Sequence, residues 1–189
     1  MNTINYLKNS NTVLPHKMYQ LAYQVVSEFA FDTYVNYDTQ TGIEKILGAL
    51  EGYLFLNMGR VLVPNHDRTK LCIRYAHGIE KAQRFINYDI DQGITGLIYT
   101  SKQAIYADDL DTNSMYLGKL CQSTYLPYSN PAISGVPIFN SKNEIRGVLC
   151  VNHGYRDNKE LSEILSVLEN TATLIGLLLS RDNIKKLAI

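Results

Sequence analysis

The amino-acid sequence predicts an α+β domain in which a mostly antiparallel sheet carries helices on one face. Three observations on the 189 residues support this fold class. Apolar residues recur at helical spacing near both ends, strand-like alternation begins after Met58, and two apolar runs flank the polar turn Asn140–Glu144. The predicted order is helix–helix–strand–strand–strand–helix–strand–strand–strand–helix, and the chain length fits a single domain.

Two helices open this order, and the polar residues before position 15 are expected to be flexible. The first predicted helix, residues 16–31, carries Met18, Leu21, Ala22, Val25, Val26 and Phe29 at helical spacing. In the second helix, Asp38 or Thr39 can cap the N-terminus by accepting backbone N–H bonds. The apolar face of this second helix consists of Ile43, Ile46, Leu47, Leu50 and Leu54.

Three strands are predicted next. Residues 59–64 and 71–77 flank a polar turn, and residues 85–91 form the third candidate. Successive side chains of a strand point to opposite faces of the sheet. This alternation assigns one side of the second strand to Leu71, Ile73 and Tyr75 and the other side to Cys72, Arg74 and Ala76.

The stretch GITG, residues 93–96, opens a predicted short helix. Its glycine spacing lacks the Lys-Ser/Thr pair of a phosphate loop and does not match a dinucleotide-binding fingerprint. We therefore interpret Gly93 and Gly96 as residues that allow a tight turn and close packing. Residues 103–108 predict a fourth strand, and Ala132–Gly154 predicts a hairpin that supplies the fifth and sixth strands.

Between the fourth strand and the hairpin, Leu110–Pro131 has no clear period and is long for a connection. Long irregular segments in compact domains are often functional. This segment contains Tyr116, Tyr125 and Tyr128, and the chain as a whole holds 14 tyrosines and no tryptophan. Because tyrosine combines apolar area with a hydroxyl group, the segment is expected to form one wall of a ligand pocket.

The C-terminal segment predicts a long helix with two apolar stripes. One stripe consists of Leu161, Leu165, Leu168, Ala172, Ile175 and Leu179, and the adjacent one of Ile164, Val167, Thr171, Leu174 and Leu178. A helix that packs on one sheet needs only one stripe. The second stripe favours contact with a second copy of the chain, and the alternative is one wide buried face within a monomer.

Charge and motifs argue against several classes of function. The 18 Lys and Arg residues balance the 18 Asp and Glu residues, so no net field directs the protein to nucleic acid or to an anionic membrane. No G-x-S-x-G or H-E-x-x-H motif occurs. The acidic residues that begin at Asp108 lack the spacing of a calcium loop. His77 and His153 end strands and are expected to face solvent, so no metal site is predicted.

The three cysteines, Cys72, Cys121 and Cys150, contain no C-x-x-C pair, a pattern that favours free thiols in a reducing cytoplasm. Cys150 lies in an apolar strand and is predicted to be a core residue. Cys121 lies in the irregular segment and is the best candidate for a reactive thiol. No signal-peptide core occurs near the N-terminus, and the apolar residues 173–180 are too few to span a bilayer, so a cytoplasmic protein is predicted.

Four stretches, in this order along the chain, resemble a GAF domain: Tyr75–Ile79, Asp91–Tyr116, Ala132–His153 and residues 161–180. They are most similar to GAF domains of nitrogen-fixation-type bacterial activators and of the nitrogen phosphotransferase enzyme I. The resemblance implies a six-stranded antiparallel sheet with N- and C-terminal helices on one face, a ligand cavity beneath the irregular segment, and dimerisation through the terminal helices. It covers residues 15–185, which leaves residues 1–14 as a flexible N-terminus and residues 186–189 as a C-terminal end or the start of a linker to an output domain.

Residues and resemblance together predict a non-catalytic domain that senses a small molecule of unknown identity and acts as a homodimer in bacterial signal transduction or transcription regulation. Two alternatives stay open: a thiol-based redox enzyme of the free methionine sulfoxide reductase type, and a dimerisation scaffold without a ligand. Arg74 is interpreted either as the partner of an anionic ligand or as a solvent-facing strand residue. The candidate ligand-binding residues are Arg74, Tyr106, Asp108, Tyr116, Cys121, Tyr125, Tyr128 and Ser134.

Overall fold

The computed structural model describes residues 5–6, 24, 28, 36–54, 58–120, 130–155 and 157–187. In chain order the elements are β1 (Asn5–Tyr6), α1 (Thr39–Leu54), β2 (Met58–Pro64), β3 (Lys70–His77), a 3-10 helix (Lys81–Phe85), β4 (Asn87–Asp89), α2 (Gly93–Ser101), β5 (Ile105–Ala107), β6 (Pro131–Phe139), β7 (Ile145–Gly154) and α3 (Asn158–Leu187). The first predicted helix, residues 16–31, lies outside the described residues except for Gln24 and Glu28, which are helical.

The strands form one antiparallel sheet in the order β1-β5-β6-β7-β2-β3-β4. The six predicted strands are confirmed, and the two-residue strand β1 adds to the edge beside β5. The hairpin of β6 and β7 turns at Asn140, whose side-chain oxygen accepts the N–H groups of Lys142 and Glu144. The predicted α+β class, with helices from both ends of the domain on one face of the sheet, is confirmed.

The first face of the sheet is covered by α1 and α3, which also pack against each other. Both apolar stripes of α3 are buried within the single chain: Leu161, Leu165, Leu168, Ala172 and Ile175 of one, and Ile164, Val167, Thr171, Leu174 and Leu178 of the other. The packing of one chain therefore accounts for both stripes. The homodimer stays a prediction, because burial within the chain removes the second stripe as an argument for it.

Burial within the single chain also explains the apolar character of α3. Its stretch Asn158–Arg181 is long and apolar enough to cross a membrane by length and composition, with a mean hydropathy of 1.3. However, 67% of the 18-residue window that meets this criterion is buried inside the fold, where its side chains meet α1 and the sheet. The helix thus has the composition of a core helix.

Two residues at the start of α1 have different roles. Asp38 is the cap, because its carboxylate accepts the backbone N–H of Thr41 at 2.9 Å and the hydroxyl of Thr41 at 2.7 Å. These hydrogen bonds hold the pKa of the Asp38 carboxyl below its usual range. Thr39 is buried, and Arg181 of α3 donates to its hydroxyl at 3.3 Å and to the carbonyl of Tyr37 at 2.7 Å. The N-terminus of α1 is therefore tied to α3.

Strand β3 departs from the predicted alternation. Val61 pairs with Tyr75, whereas the next residue, Leu62, pairs with Ile73, so Arg74 is an extra residue without a partner on β2. This bulge sends Ile73 to the face covered by α2 and Tyr75 to the face covered by α1 and α3. The prediction that Ile73 and Tyr75 share one side is wrong, because one extra residue shifts the two-residue period of a strand.

Candidate functional site

The second face of the sheet is covered by the short helix α2 and by the irregular residues that follow β5. The core on this face includes Leu62, Ile73, Tyr88, Ile94, Ile98, Leu110, Leu120, Ile133 and Val148. A pocket of ≈ 20 Å³ lies inside this core, between β2, β4, β6, the start of α2 and residues 115–120. This volume holds about one water molecule, so the pocket is too small for a larger ligand in this conformation.

The pocket lies where α2 begins, and a close approach of the chain shapes this corner. Gly93 has a φ of 68°, which L-residues with a side chain rarely adopt. A Cβ atom on Gly93 would lie 2.9 Å from Cδ1 of Leu117, and one on Gly96 would lie 2.7 Å from the backbone carbonyl carbon of Asp91. The interpretation of the GITG stretch as a tight turn with close packing is therefore confirmed.

Gly93→Ala is expected to destabilise this corner of the domain. Alanine at positive φ costs about 1–2 kcal/mol, and its methyl group displaces Leu117 from the pocket wall. The backbone N–H of Ile94, which donates to the carbonyl of Met115 at 3.2 Å, should then exchange faster with deuterium. Lys102→Gly is the matched control, because Lys102 ends α2 with a φ of 58°, a position that glycine favours. A similar loss of melting temperature in both variants would contradict the prediction.

A buried cation forms the polar part of the pocket. Arg60, in the middle of β2, is only 3% exposed and lines the pocket from the sheet. Its Nη1 donates to Oδ1 of Asn152 on β7 at 2.5 Å. The Nε of Arg60 and the Nδ2 of Asn152 are buried and have no hydrogen-bond partner in the described parts of the chain. Two strands thus place one guanidinium and one amide side by side in an otherwise apolar core.

No carboxylate balances this guanidinium among the described residues. The residues that line the pocket include no Asp or Glu, and Arg60 forms none of the ion pairs seen in the described parts of the chain. Asp32 and Asp182 are the only two of the 18 acidic residues whose side chains are not described. Arg84 also has a buried Nε without a partner among the described residues, but it is half-buried and its Nη1 pairs with Glu44 at 2.9 Å.

Cys150 lies opposite Arg60 in the sheet and is fully buried. Burial raises the pKa of the Cys150 thiol, against the smaller opposing effects of the Arg60 charge and a hydrogen bond with Thr95. The thiol is therefore held in its protonated form, which is a poor nucleophile. The prediction that Cys150 is a core residue is confirmed.

Two larger clefts open on the surface. One, of ≈ 540 Å³, is lined by Lys102, Phe139, Glu169 and Leu177 among others, and every residue that lines it is exposed or half-buried. The other, of ≈ 490 Å³, contains Arg74. Neither holds a buried charge within the described residues. We place the candidate site at the smaller pocket because it contains a buried guanidinium. Burying a charge is unfavourable unless it is paired, so a buried charge indicates a binding site more strongly than the size of a cleft does.

Of the predicted site residues, only Tyr116 lines this pocket in the described chain. Arg74 is exposed at the bulge of β3 and lies in the ≈ 490 Å³ cleft together with Arg68 and Arg146. Tyr106 and Ser134 are buried on the face covered by α1 and α3. Cys121, Tyr125 and Tyr128 lie outside the described residues.

Three of the predicted residues meet around His153 instead. Nε2 of His153 lies 2.8 Å from Oγ of Ser134, and Nδ1 lies 2.6 Å from the carbonyl oxygen of Gly154. The ring stacks with Tyr106, whose hydroxyl donates to Asp108 at 3.4 Å. The expectation that His153 faces solvent is wrong, because the alternation of β7 turns this fully buried side chain towards the helices.

The other histidine predicted to face solvent, His77, is half exposed, and its Nε2 lies 2.5 Å from a carboxylate oxygen of Glu51. Within the described parts of the chain, no group of three or more His, Cys, Asp or Glu side chains is arranged to hold a metal ion.

Sequence reasoning missed Arg60, which is the most informative residue of the site. A signal was present: Arg60 stands inside the run MGRVLVP, in which every other residue is glycine, proline or apolar. Such a run predicts a strand that is buried on both faces. A charged side chain in such a strand is buried whichever face it points to.

Sequence comparison relates the chain to a regulatory protein. No family model matches the chain. A Nif-specific regulatory protein from Enterobacter agglomerans is 28% identical over 143 residues, which cover 74% of this chain and 27% of that relative. The chain therefore matches about a quarter of the length of this curated relative.

Solved structures resemble the whole fold. The Nlh2 GAF domain of A. aeolicus, crystallised in an inactive state, superimposes with a TM-score of 0.72 at 17% identity, over 87% of this chain and 99% of that one. A free methionine-R-sulfoxide reductase from Neisseria meningitidis, in complex with its substrate, superimposes with a TM-score of 0.62 at 14% identity, over 93% and 98% of the two chains. These likenesses, together with the sheet order and the helices on each face, identify the architecture: the chain has the fold of a GAF domain.

Proposed function

We propose that the chain is a non-catalytic regulatory domain of the bacterial cytoplasm that senses a small molecule and, as a homodimer, controls signal transduction or transcription. The observation that carries this proposal is the small pocket between the sheet and residues 115–120, which the buried Arg60 lines and beside which Asn152 accepts a hydrogen bond from Arg60. Apolar pockets with a few convergent polar groups are the usual form of small-molecule sites. The likeness to a Nif-specific regulatory protein supports a role in regulation.

The proposed mechanism depends on the wall of the pocket. Because the pocket holds only about one water molecule, a ligand must displace residues 115–120. Polar contacts hold this segment to its surroundings: Gln83 donates to the carbonyl of Leu120 at 2.8 Å, Lys119 donates to the carbonyl of Asn87 at 3.2 Å, and Ile94 donates to the carbonyl of Met115 at 3.2 Å. A ligand that breaks these contacts would change the surface of the domain and so produce a signal.

A thermal-shift screen of the 189-residue chain tests the proposal. Cyclic nucleotides, nucleotides, amino acids and organic acids are added at millimolar concentration, and a ligand that binds only the folded state raises the melting temperature. Faster or slower amide exchange confined to residues 115–120 should accompany the shift. If no compound changes either quantity, the alternative of a dimerisation scaffold without a ligand is favoured.

The enzymatic alternative requires a reactive cysteine. Cys150 is expected to react with iodoacetamide far more slowly in the folded protein than in urea, because burial raises the pKa of its thiol. A variant that retains only Cys150 and a second that retains only Cys121 allow the two rates to be compared by mass spectrometry. A thiol that labels faster than free glutathione in either folded variant would support a redox enzyme and contradict the proposal.

The oligomeric state needs its own measurement. Multi-angle light scattering at tens of micromolar protein is expected to give the mass of two chains, about twice 21.4 kDa. The mass of a single chain at this concentration would remove the homodimer from the proposal and leave the sensory role intact.

A further inference from the structure

We infer that the pocket takes a small organic carboxylate, and that the carboxylate group of this ligand binds the guanidinium of Arg60. The inference rests on the proposed sensory function and assigns the chemical class of the ligand. It is drawn from one feature, the desolvated cation of β2 that no acidic side chain of the described residues neutralises.

Burying a guanidinium without a counter-ion costs free energy. Arginine is always charged in proteins, and it carries five N–H donors that water would otherwise satisfy. Among the described residues, the only acceptor that hydrogen-bonds Arg60 is the neutral amide oxygen of Asn152, and the Nε of Arg60 has no partner there. A buried cation that lines a pocket and has no ion pair among the described residues is suited to bind an anion from outside.

The geometry of the free donors favours a carboxylate. The two oxygens of a carboxylate match two parallel N–H groups of a guanidinium, and the unpaired Nε offers one of them. The amide Nδ2 of Asn152, beside Arg60, is also buried without a hydrogen-bond partner among the described residues. The Nε of Arg60 at the pocket and the neighbouring Nδ2 of Asn152 are therefore two donors left without an acceptor.

The charge of the pocket limits the ligand to one buried negative charge. Lys119 is the only other cation that lines the pocket in the described parts of the chain. It is exposed, and its Nζ donates to the carbonyl of Asn87 and lies 5.2 Å from the ring centre of Tyr88. A single carboxylate neutralises Arg60, whereas a phosphate dianion would leave excess negative charge in the core. The remaining walls, formed by Ile94, Met115, Leu117, Leu120 and Ile133, suit a hydrocarbon part of the ligand.

A panel of matched acids and amides tests this class on the full chain. Acetate, lactate, succinate and benzoate are compared with acetamide, lactamide, succinamide and benzamide, and with inorganic phosphate, at constant ionic strength. The melting temperature reports binding, and the Nε–H resonance of Arg60, assigned by its loss in Arg60→Met, reports contact with the cation. At least one acid is expected to raise the melting temperature and to move this resonance downfield, whereas its amide does neither.

Variants then connect the binding to Arg60. Arg60→Met is expected to weaken the affinity for the acid by roughly ten- to a hundredfold, which corresponds to the loss of hydrogen bonds to a charged group. Arg74→Met is the matched control, because it removes an exposed arginine from the same sheet while leaving the pocket unchanged. Equal loss in both variants would indicate a general effect of protein charge and would overturn the inference.

The outcomes distinguish failure of the carboxylate inference from failure of the sensory function. If amides bind as tightly as acids and Arg60→Met has no effect, the carboxylate inference is overturned and the sensory function stands. If phosphate moves the Arg60 resonance and no acid does, the class of ligand is wrong. If neither this panel nor the wider metabolite screen changes the melting temperature, the sensory function falls together with the inference.

Discussion

Replacing Arg60 and Asn152 together, as Arg60→Met with Asn152→Leu, is expected to stabilise the ligand-free domain by about 1–4 kcal/mol. The pair is buried on both strands and contains two polar groups without hydrogen-bond partners. Apolar side chains of similar length would fill the same space without the cost of desolvating a charge. In urea unfolding, the stabilisation should appear as a higher midpoint concentration of urea. The slope of the unfolding free energy against urea concentration should not change.

Asn152→Leu alone is the control for this double variant. It removes the acceptor at 2.5 Å from Nη1 and leaves the charge of Arg60 buried. Leaving a buried polar group without its hydrogen-bond partner costs about 1–3 kcal/mol, and more when the group is charged, so this variant should be clearly destabilised. If the double variant is as unstable as Asn152→Leu alone, the pair belongs to the structural core and the argument for a ligand at Arg60 loses its premise.

Gly176→Ala is expected to lower the free energy of unfolding by about 1–3 kcal/mol, the usual cost of overpacking a core. Gly176 lies in α3 where the helix rests on β6, and a Cβ atom there would lie 2.0 Å from the carbonyl oxygen of Phe139. Because the obstacle is backbone, the helix has to move away from the strand. For a domain of this size, each kcal/mol lowers the melting temperature by about 2–4 °C.

Gly48→Ala makes the same chemical change in the other packed helix. The nearest atom to a Cβ there is Cε1 of His77 at 3.3 Å, and this half-exposed side chain can move. Alanine is a better helix former than glycine by about 1 kcal/mol, so this variant should be as stable as the parent or more stable. Equal destabilisation of the two variants would show that contact with β6 is not the cause in Gly176→Ala.

Most of the fold could be predicted because its elements depend on local patterns. The change from helical spacing to alternation located β2 and β3, and the polar turn between two apolar runs located the hairpin of β6 and β7. The strand β1 was not predicted, since a two-residue strand carries no periodic pattern. The bulge at Arg74 was missed for another reason: it exists only in the pairing of β3 with β2, and no local pattern records that pairing.

The candidate site was harder to predict. Tyr116 was identified from its place in the irregular segment and does line the pocket. Tyr106 and Ser134 pair with each other across β5 and β6, but the face that they occupy depends on the register of the whole sheet. Arg60 was missed because an arginine in a strand is ordinarily taken to be exposed, whereas the continuous apolar run around it indicates burial on both faces.

The bulge at Arg74 also makes one position of β3 tolerant of a change in chain length. With the extra residue, Leu71 and Ile73 serve one core while Tyr75 serves the other. A deletion of Arg74 would make Ile73 and Tyr75 neighbours, and simple alternation would still point them to opposite faces. A one-residue deletion elsewhere in β3 would instead turn part of its apolar side chains to the wrong face. Because Arg74 is exposed, both substitution and deletion are expected to be tolerated at this position.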